Sequence, residues 1–121
     1  MNGAPGAAPE TRRAPRRAVA GRVPVIDCMA GRTIGHLANV SESGMLLLAA
    51  LPLREDALFQ LRFALPLADG RQQPIDVGAH LLWREPARTA GQTWCGLRFL
   101  TLAEDHRELL RRWILQAAPA T

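Results

Sequence analysis

Four arginines lie within six consecutive positions near the N-terminus, and their side chains suit an anionic ligand. They are Arg12, Arg13, Arg16 and Arg17. The planar guanidinium fork of arginine can hydrogen-bond to two phosphate oxygens or to O6 and N7 of guanine, and it can stack on a purine. The segment 12–17 is therefore predicted to attract an anion, although a solvated charged linker explains the same cluster. The preceding residues 1–11 are rich in Gly, Pro and Ala and are expected to form a disordered leader.

A second polar group follows a predicted strand, in the segment NVSESG from Asn39 to Gly44. Asn39 has an amide that can both donate and accept hydrogen bonds, and Ser41 has a hydroxyl. Gly44 has no side chain, so it allows a positive φ and a close approach of a ligand to the backbone. Asn, Ser and Gly are also ordinary turn formers, so a purely structural role stays open. Glu42 and Ser43 are predicted only to form the turn.

The remaining reactive side chains form no catalytic or metal-binding pattern. His36, His80 and His106 lie in different predicted elements, and none has a second ligand at metal-binding spacing. Neither serine of NVSESG lies in a GxSxG motif, and the sequence contains no glycine-rich phosphate loop. We therefore predict no catalytic residue and no metal site. The tryptophans are interpreted as core or edge packing, at Trp83, Trp94 and Trp113.

Composition indicates a single domain in aqueous surroundings. The chain has 121 residues, 48% of them hydrophobic, and a net charge of +4 in which all fifteen basic residues are arginine. Its longest apolar run, residues 45–53, contains a proline and is too short to span a bilayer, and no apolar segment of the signal-peptide kind follows the basic residues. A cytoplasmic protein without membrane insertion is expected. Cys28 and Cys95 each fall inside a predicted strand and are expected to be buried free thiols.

Alternating apolar and polar residues predict a mainly β fold. The clearest example puts five apolar side chains on one face of a strand: Ile75, Val77, Ala79, Leu81 and Trp83. Turn signals separate six such segments, which cover residues 23–29, 33–41, 45–51, 58–67, 75–84 and 93–100.

The C-terminal segment changes to the period of a helix. Apolar residues recur at spacings of three and four from Leu109 to Ala117, and Thr101 with Glu104 fits a capping box. The predicted helix covers about residues 102–117. Six short strands followed by one helix predict an antiparallel barrel over about residues 22–100, or a strongly curved sheet, with the helix packed across an opening.

The arginine cluster and NVSESG together resemble the two-part signature of the PilZ domain family, RxxxR followed by [DN]xSxxG. The second part corresponds to Asn39, Ser41 and Gly44. The resemblance continues through MLL after the glycine and GLRF at residues 96–99 to the terminal helix. It identifies residues 12–121 as a PilZ domain and implies a six-stranded antiparallel barrel with a C-terminal α-helix.

The first part of the signature fits the sequence in two registers. Pro15 favours the pair Arg12 and Arg16, because a proline commonly precedes the second arginine in this family. Arg13 and Arg17 have the same spacing, so they form an equally valid pair by spacing alone.

The resemblance to the PilZ family also implies a function. Members bind cyclic di-GMP, so all four arginines together with Asn39, Ser41 and Gly44 become candidate ligand-binding residues. The expected protein is a bacterial receptor or adaptor and not an enzyme, with no cofactor beyond this ligand. Binding is expected to order the arginine switch segment 12–17 and to signal to an unidentified protein partner in trans, in motility or biofilm control.

Two other functions remain open. A PilZ domain can act through protein contacts without binding the ligand, although such members usually lack one of the signature residues. The basic composition also allows non-specific binding of a nucleic-acid polymer. This second alternative is disfavoured because the sequence shows no surface aromatic pair flanked by basic residues.

Overall fold

The computed structural model of the protein describes residues 15–116, so the predicted leader, Arg12, Arg13 and Ala117 lie outside the described residues. Within that range the chain forms strands and one C-terminal helix. The elements are β1 (Arg16–Ala18), β2 (Pro24–Asp27), β3 (Arg32–Ser41), β4 (Gly44–Ala49), β5 (Leu58–Pro66), β6 (Gln72–Pro86), β7 (Thr93–Leu102) and α1 (Glu104–Leu115).

Six of the strands close into an antiparallel barrel. The sheet has the order β1-β3-β2-β5-β6-β7-β4, and an additional pairing of β4 with β3 closes the strands β2 to β7 into a ring. Closure pairs the strand edges that an open sheet would leave exposed. The barrel confirms the predicted fold class. The short strand β1 was not predicted, and it lies outside the closed ring, beside β3.

Period-two alternation builds the core, as expected for half-buried strands. In β6 the side chains of Ile75, Val77, Ala79 and Leu81 are all buried. The prediction fails at Trp83, whose side chain was expected on the same face but is 45% exposed. A register shift between Leu81 and Trp83 adds one residue to β6 and turns the tryptophan to the outside.

The helix closes one end of the barrel. It begins at Glu104 after Ala103, without a side-chain cap, and Thr101 belongs to β7, so the predicted capping box is wrong. Trp113 lies in the buried face of the helix, and its Nε1 donates a 2.9 Å hydrogen bond to the carbonyl oxygen of Pro66. No helix in the described range combines the length and apolar character needed to cross a membrane.

The two cysteines have different surroundings. Cys95 is buried in β7, as predicted, and burial raises the pKa of its thiol. Cys28 is exposed, so the prediction of a buried thiol is wrong for this residue. It lies just after β2 in a turn where the Asp27 carboxylate accepts hydrogen bonds from the backbone N–H groups of Met29 and Ala30. This turn ends the strand one residue before Cys28.

Candidate functional site

The arginine segment and the NVSESG segment lie side by side. Strand β1 pairs antiparallel with the end of β3, so that Arg16 faces Ser41 and Ala18 faces Asn39. Two further backbone hydrogen bonds, from Val19 to Ala38 and from Leu37 to Val23, continue this contact toward β2. Backbone pairing therefore brings two motifs that are separated in sequence onto one patch of the barrel wall.

Arg16 and Asn39 are in direct contact. The Nη1 atom of Arg16 donates a hydrogen bond of 2.5 Å to the Oδ1 atom of Asn39. This bond orients the amide, because its oxygen accepts from the arginine and its Nδ2 group is the donor that remains. A guanidinium group and an amide N–H₂ group are thus presented together at the surface, and both can donate to an acceptor on a ligand.

Arg17 points elsewhere, because neighbouring residues in a strand face opposite sides. Its Nη1 donates a 2.6 Å hydrogen bond to the carbonyl oxygen of Trp113, and its Cζ lies 3.7 Å from the centroid of the Trp113 ring. The structure therefore brings Arg16, but not Arg17, into contact with Asn39.

Ser41 is 2% exposed, and its hydroxyl serves the turn that follows it. The Oγ atom accepts a 3.2 Å hydrogen bond from the backbone N–H of Ser43 and donates one of 3.4 Å to the carbonyl oxygen of Gly44. This is a serine-based turn. In this structure the hydroxyl shapes the hairpin between β3 and β4 and does not face solvent.

Gly44 is explained by strand packing and not by an unusual backbone angle. The positive φ that glycine allows is not used at this position, since the described glycines with positive φ are Gly21, Gly31, Gly70 and Gly91. A Cβ atom on Gly44 would instead collide with the carbonyl oxygen of Leu97 in β7. Glycine is needed here because β4 and β7 approach each other closely.

Glu42 does more than form the turn, contrary to expectation. Its carboxylate accepts two hydrogen bonds from Arg111 of α1, of 3.0 Å from Nε and 3.3 Å from Nη2. These hydrogen bonds are the largest cause of a raised pKa of Arg111, and charge attraction to Glu42 is the second cause. The turn inside the [DN]xSxxG motif is therefore tied to the C-terminal helix.

A row of outward-facing residues extends from Asn39 across four strands. Asn39 faces Leu46, Leu46 faces Gly96, and Gly96 faces Trp83. The indole of Trp83 occupies the space above Gly96 that a side chain would otherwise fill. Arg16 lies beside Asn39, at the end of the row opposite to Trp83.

A shallow cavity of about 320 Å³ covers this row. Its lining includes Arg16, Asn39, Leu46, Trp83 and Gly96. Clefts of similar size lie elsewhere on the barrel, but this one contains residues of both parts of the signature. Sequence reasoning missed its apolar half, although the tryptophan late in β6 and the glycine of GLRF were the available signals.

The polar side chains and the aromatic side chain lie at opposite ends of the cavity. Arg16 and Asn39 supply donors at one end, and Trp83 supplies an aromatic surface at the other. An aromatic surface can stack a base, and the donors can bind a phosphate or a base edge. Within residues 15–116 no group of three His, Cys, Asp or Glu side chains is arranged to hold a metal ion.

Comparison with known proteins identifies a family and a fold. The sequence model of the PilZ domain family matches residues 10–116. No curated protein matches the sequence. Among solved structures, the inhibitor of motility MotI/DgrA of Bacillus subtilis superposes with a TM-score of 0.70 at 15% identity, covering 87% of this chain and 49% of that chain.

Two structures of YcgR from Escherichia coli are also similar. The complex of YcgR with c-di-GMP has a TM-score of 0.68 at 21% identity, covering 87% of this chain and 45% of that one. The PilZ domain of YcgR with c-di-GMP has a TM-score of 0.62 at 19% identity, covering 87% and 89%. The chain thus spans about half the length of the MotI/DgrA chain and of the YcgR chain in the first of its two structures. At these identities the similarity shows a shared fold.

Proposed function

The chain belongs to the PilZ domain family, and we propose that it is a receptor for cyclic di-GMP that makes and breaks no bond in its ligand. One observation carries this proposal: the hydrogen bond between Arg16 and Asn39, which joins the two parts of the family signature at one cavity. The two similar YcgR structures contain c-di-GMP, which supports the choice of ligand.

The cavity residues match the chemistry of a cyclic dinucleotide. Arg16 supplies a planar fork for a phosphate or for the O6/N7 edge of guanine. Asn39 supplies its Nδ2 donor, because its oxygen already accepts from Arg16. Trp83 supplies a face on which one guanine stacks. A volume of about 320 Å³ is at the small end of ligand pockets, so part of the ligand stays above the wall.

We propose that the arginines before β1 cover that outer part of the ligand. Arg12 and Arg13 precede Arg16 by four and three residues, which is within about 14 Å of chain reach. Binding orders this segment over the ligand and changes the surface that a partner meets. The contact between Arg17 and Trp113 supports Arg12 and Arg16 as the RxxxR pair, because Arg17 already has a structural partner.

Ser41 and Gly44 contribute mainly through the shape of the wall. For Ser41 to contact the ligand directly, its turn hydrogen bonds of 3.2 Å and 3.4 Å must be exchanged for bonds to the ligand. Gly44 keeps β4 close to β7, which sets the positions of Leu46 and Gly96 in the cavity floor.

The proposed output is a change in the surface around β1 and α1, recognised by a protein partner in trans. Arg17 and Glu42 both contact the helix, and both neighbour a proposed ligand residue. The similar protein from Bacillus subtilis is described as an inhibitor of motility, which supports motility or biofilm control as the process. In the alternative function, a ligand-independent adaptor contacts its partner through this same surface, and the cavity binds no ligand.

One observation also favours a nucleic-acid ligand. Trp83 faces Gly96 and Glu85 faces Trp94, so the two tryptophans are diagonal neighbours on the outer wall. Such a pair could stack successive bases of a single strand, and the test below includes this alternative.

Calorimetry with the 121-residue chain tests the proposal. Cyclic di-GMP should bind saturably, while cyclic di-AMP at the same concentration should not. Arg16→Ala and Asn39→Ala should each weaken binding by about tenfold or more, the effect of losing a hydrogen bond to a charged group. Arg54→Ala, at an exposed arginine outside the cavity lining, is the matched control and should bind normally.

Two results would overturn the receptor function. If cyclic di-GMP at high micromolar concentration releases no heat of binding and does not compete for the site, the receptor function is wrong. The ligand-independent adaptor is then the remaining function. Binding of single-stranded RNA that exceeds binding of the dinucleotide and falls steeply with added salt identifies a nucleic-acid protein instead.

A further inference from the structure

Arg98, from the GLRF segment of β7, is an outward arginine next to the candidate cavity. Its side chain is exposed, and it lies two residues after Gly96 on the same face of the strand. Its partners across the neighbouring strands are Gly44 in β4 and His80 in β6. Glycine on one side leaves the space beside the arginine free of a side chain.

The guanidinium of Arg98 has no hydrogen bond or ion pair with any residue that the structure describes. Other outward arginines have acidic partners, such as Arg62 with Asp76 and Arg111 with Glu42. The neighbouring His80 is itself bonded to Asp56, through its Nε2 atom. Arg98 is thus a cation without an acidic partner among residues 15–116, and the paired strand β7 holds it on the barrel wall.

Arg98 also lies in a defined position relative to Arg16. Arg16 faces Ser41 across β1 and β3, and Arg98 faces Gly44 across β7 and β4. Ser41 and Gly44 flank the same tight turn and are joined by the hydroxyl-to-carbonyl hydrogen bond. The two arginines therefore approach the [DN]xSxxG turn from opposite sides, with only small residues between them.

We propose that Arg98 is a specificity-determining residue for the ligand, and this inference rests on the proposed cyclic di-GMP receptor function. The indole of Trp83 covers Gly96, so a purine stacked on the outer face of the indole lies above this part of β7, and Arg98, two residues after Gly96 on the same face, then stands beside the base. An arginine beside a stacked base meets its edge, and its planar fork fits O6 and N7 of guanine but not the N6 donor of adenine. Arg98 thereby selects guanine without any ordering of the N-terminal arginines.

This role is tested by a double-mutant cycle of binding affinities, in which one change is made in the protein and the other in the ligand. Wild type, Arg98→Gln and the control Arg54→Gln are titrated with cyclic di-GMP and with its 7-deaza analogue, which lacks the N7 acceptor. Arg54 is another exposed arginine without a side-chain partner among the described residues. Arg98→Gln should weaken cyclic di-GMP binding by about tenfold or more, and Arg54→Gln should not.

The analogue identifies which group Arg98 contacts. Wild type and Arg54→Gln should lose several-fold affinity for the 7-deaza ligand, whereas in Arg98→Gln this loss should be clearly smaller, because one of the N7 contacts is already gone. If Arg98→Gln binds as tightly as wild type, or keeps the full 7-deaza penalty, the assignment to the guanine edge is overturned while the receptor function stands. If wild type binds neither ligand, both proposals are overturned. Circular dichroism and a urea transition should match wild type, so that unfolding does not account for the loss.

Discussion

Arg17 and Trp113, 96 positions apart in the sequence, are joined by two contacts. The guanidinium carbon of Arg17 lies 3.7 Å from the centroid of the indole ring, and Nη1 donates a 2.6 Å hydrogen bond to the tryptophan carbonyl oxygen. That carbonyl is in the last turn of α1 (Glu104–Leu115), where helix carbonyls lack internal partners and the helix dipole favours a cation. The strand that presents Arg16 to the cavity is thereby attached to the helix that closes the barrel.

We expect Arg17→Ala to destabilise the fold while leaving the cavity residues in place. Loss of the cation–π contact and of a charged hydrogen bond should lower the free energy of unfolding by about 1–2 kcal/mol, since the arginine is half-buried. Urea unfolding followed by circular dichroism measures this. Arg22→Ala, at an exposed arginine on the loop after β1, is the matched control and should change stability by less than about 0.5 kcal/mol. Equal stabilities of the two variants would contradict the role of this contact.

Gly44 and Gly70 distinguish two reasons for a glycine. Gly44→Ala puts a methyl group onto the carbonyl oxygen of Leu97, so β4 and β7 must separate. Gly70 has a φ of 89° and open space around its Cα, so an alanine there costs only about 1 kcal/mol of backbone strain. We expect Gly44→Ala to lower the unfolding midpoint more than Gly70→Ala. A fully stable Gly44→Ala variant that no longer binds ligand would instead show that the glycine serves ligand approach.

Asp76 should make stability depend on pH at the acid end. Arg62 donates to both of its oxygens, at 2.6 Å and 3.2 Å, and these hydrogen bonds are the main cause of a lowered pKa, which desolvation partly opposes. Because the folded pKa lies below the unfolded value of about 3.9, the carboxylate stabilises the fold above that pH. This stabilisation is lost as the pH falls through the folded pKa.

The corresponding measurement compares urea unfolding of wild type and Asp76→Asn between pH 3 and pH 7. Wild type should be the more stable protein at neutral pH, and the difference should shrink below about pH 4. Glu55→Gln, at an exposed carboxylate without an ion pair among the described residues, serves as the control. A difference in stability that stays constant over the whole pH range would show that pairing with Arg62 does not change the pKa of Asp76 between the unfolded and the folded protein.

Trp83 should report ligand binding through its fluorescence. It is 45% exposed and lines the candidate cavity, whereas Trp113 is 4% exposed on the buried face of α1. A guanine stacked on the indole should quench its emission as cyclic di-GMP is added. Trp83→Phe should abolish most of the quenching, and Trp94→Phe should retain it. Quenching that persists in Trp83→Phe would place the base elsewhere on the wall.

Much of the fold could be predicted because strand alternation and turn residues are local properties. The buried series in β6 and the Gly70 turn follow from neighbouring residues alone. The resemblance of the arginine cluster and NVSESG to the family signature also predicted a two-part ligand site, in which the arginines are the anion-binding part. Local patterns do not contain the extra residues that break alternation, and Trp83 was consequently placed on the wrong face.

Asn39 shows most clearly what the tertiary structure decided. Leu37 is buried, so strict alternation would also turn Asn39 inward, but a register shift at Ala38 turns it out toward the cavity. The neighbouring strand β4 sets this bulge, and it cannot be read from the residues of β3. Residue types and spacing in the sequence determined the barrel class and the two motifs. Pairing between strands decided that Arg16 meets Asn39, that Arg17 meets the helix, and that a tryptophan completes the cavity.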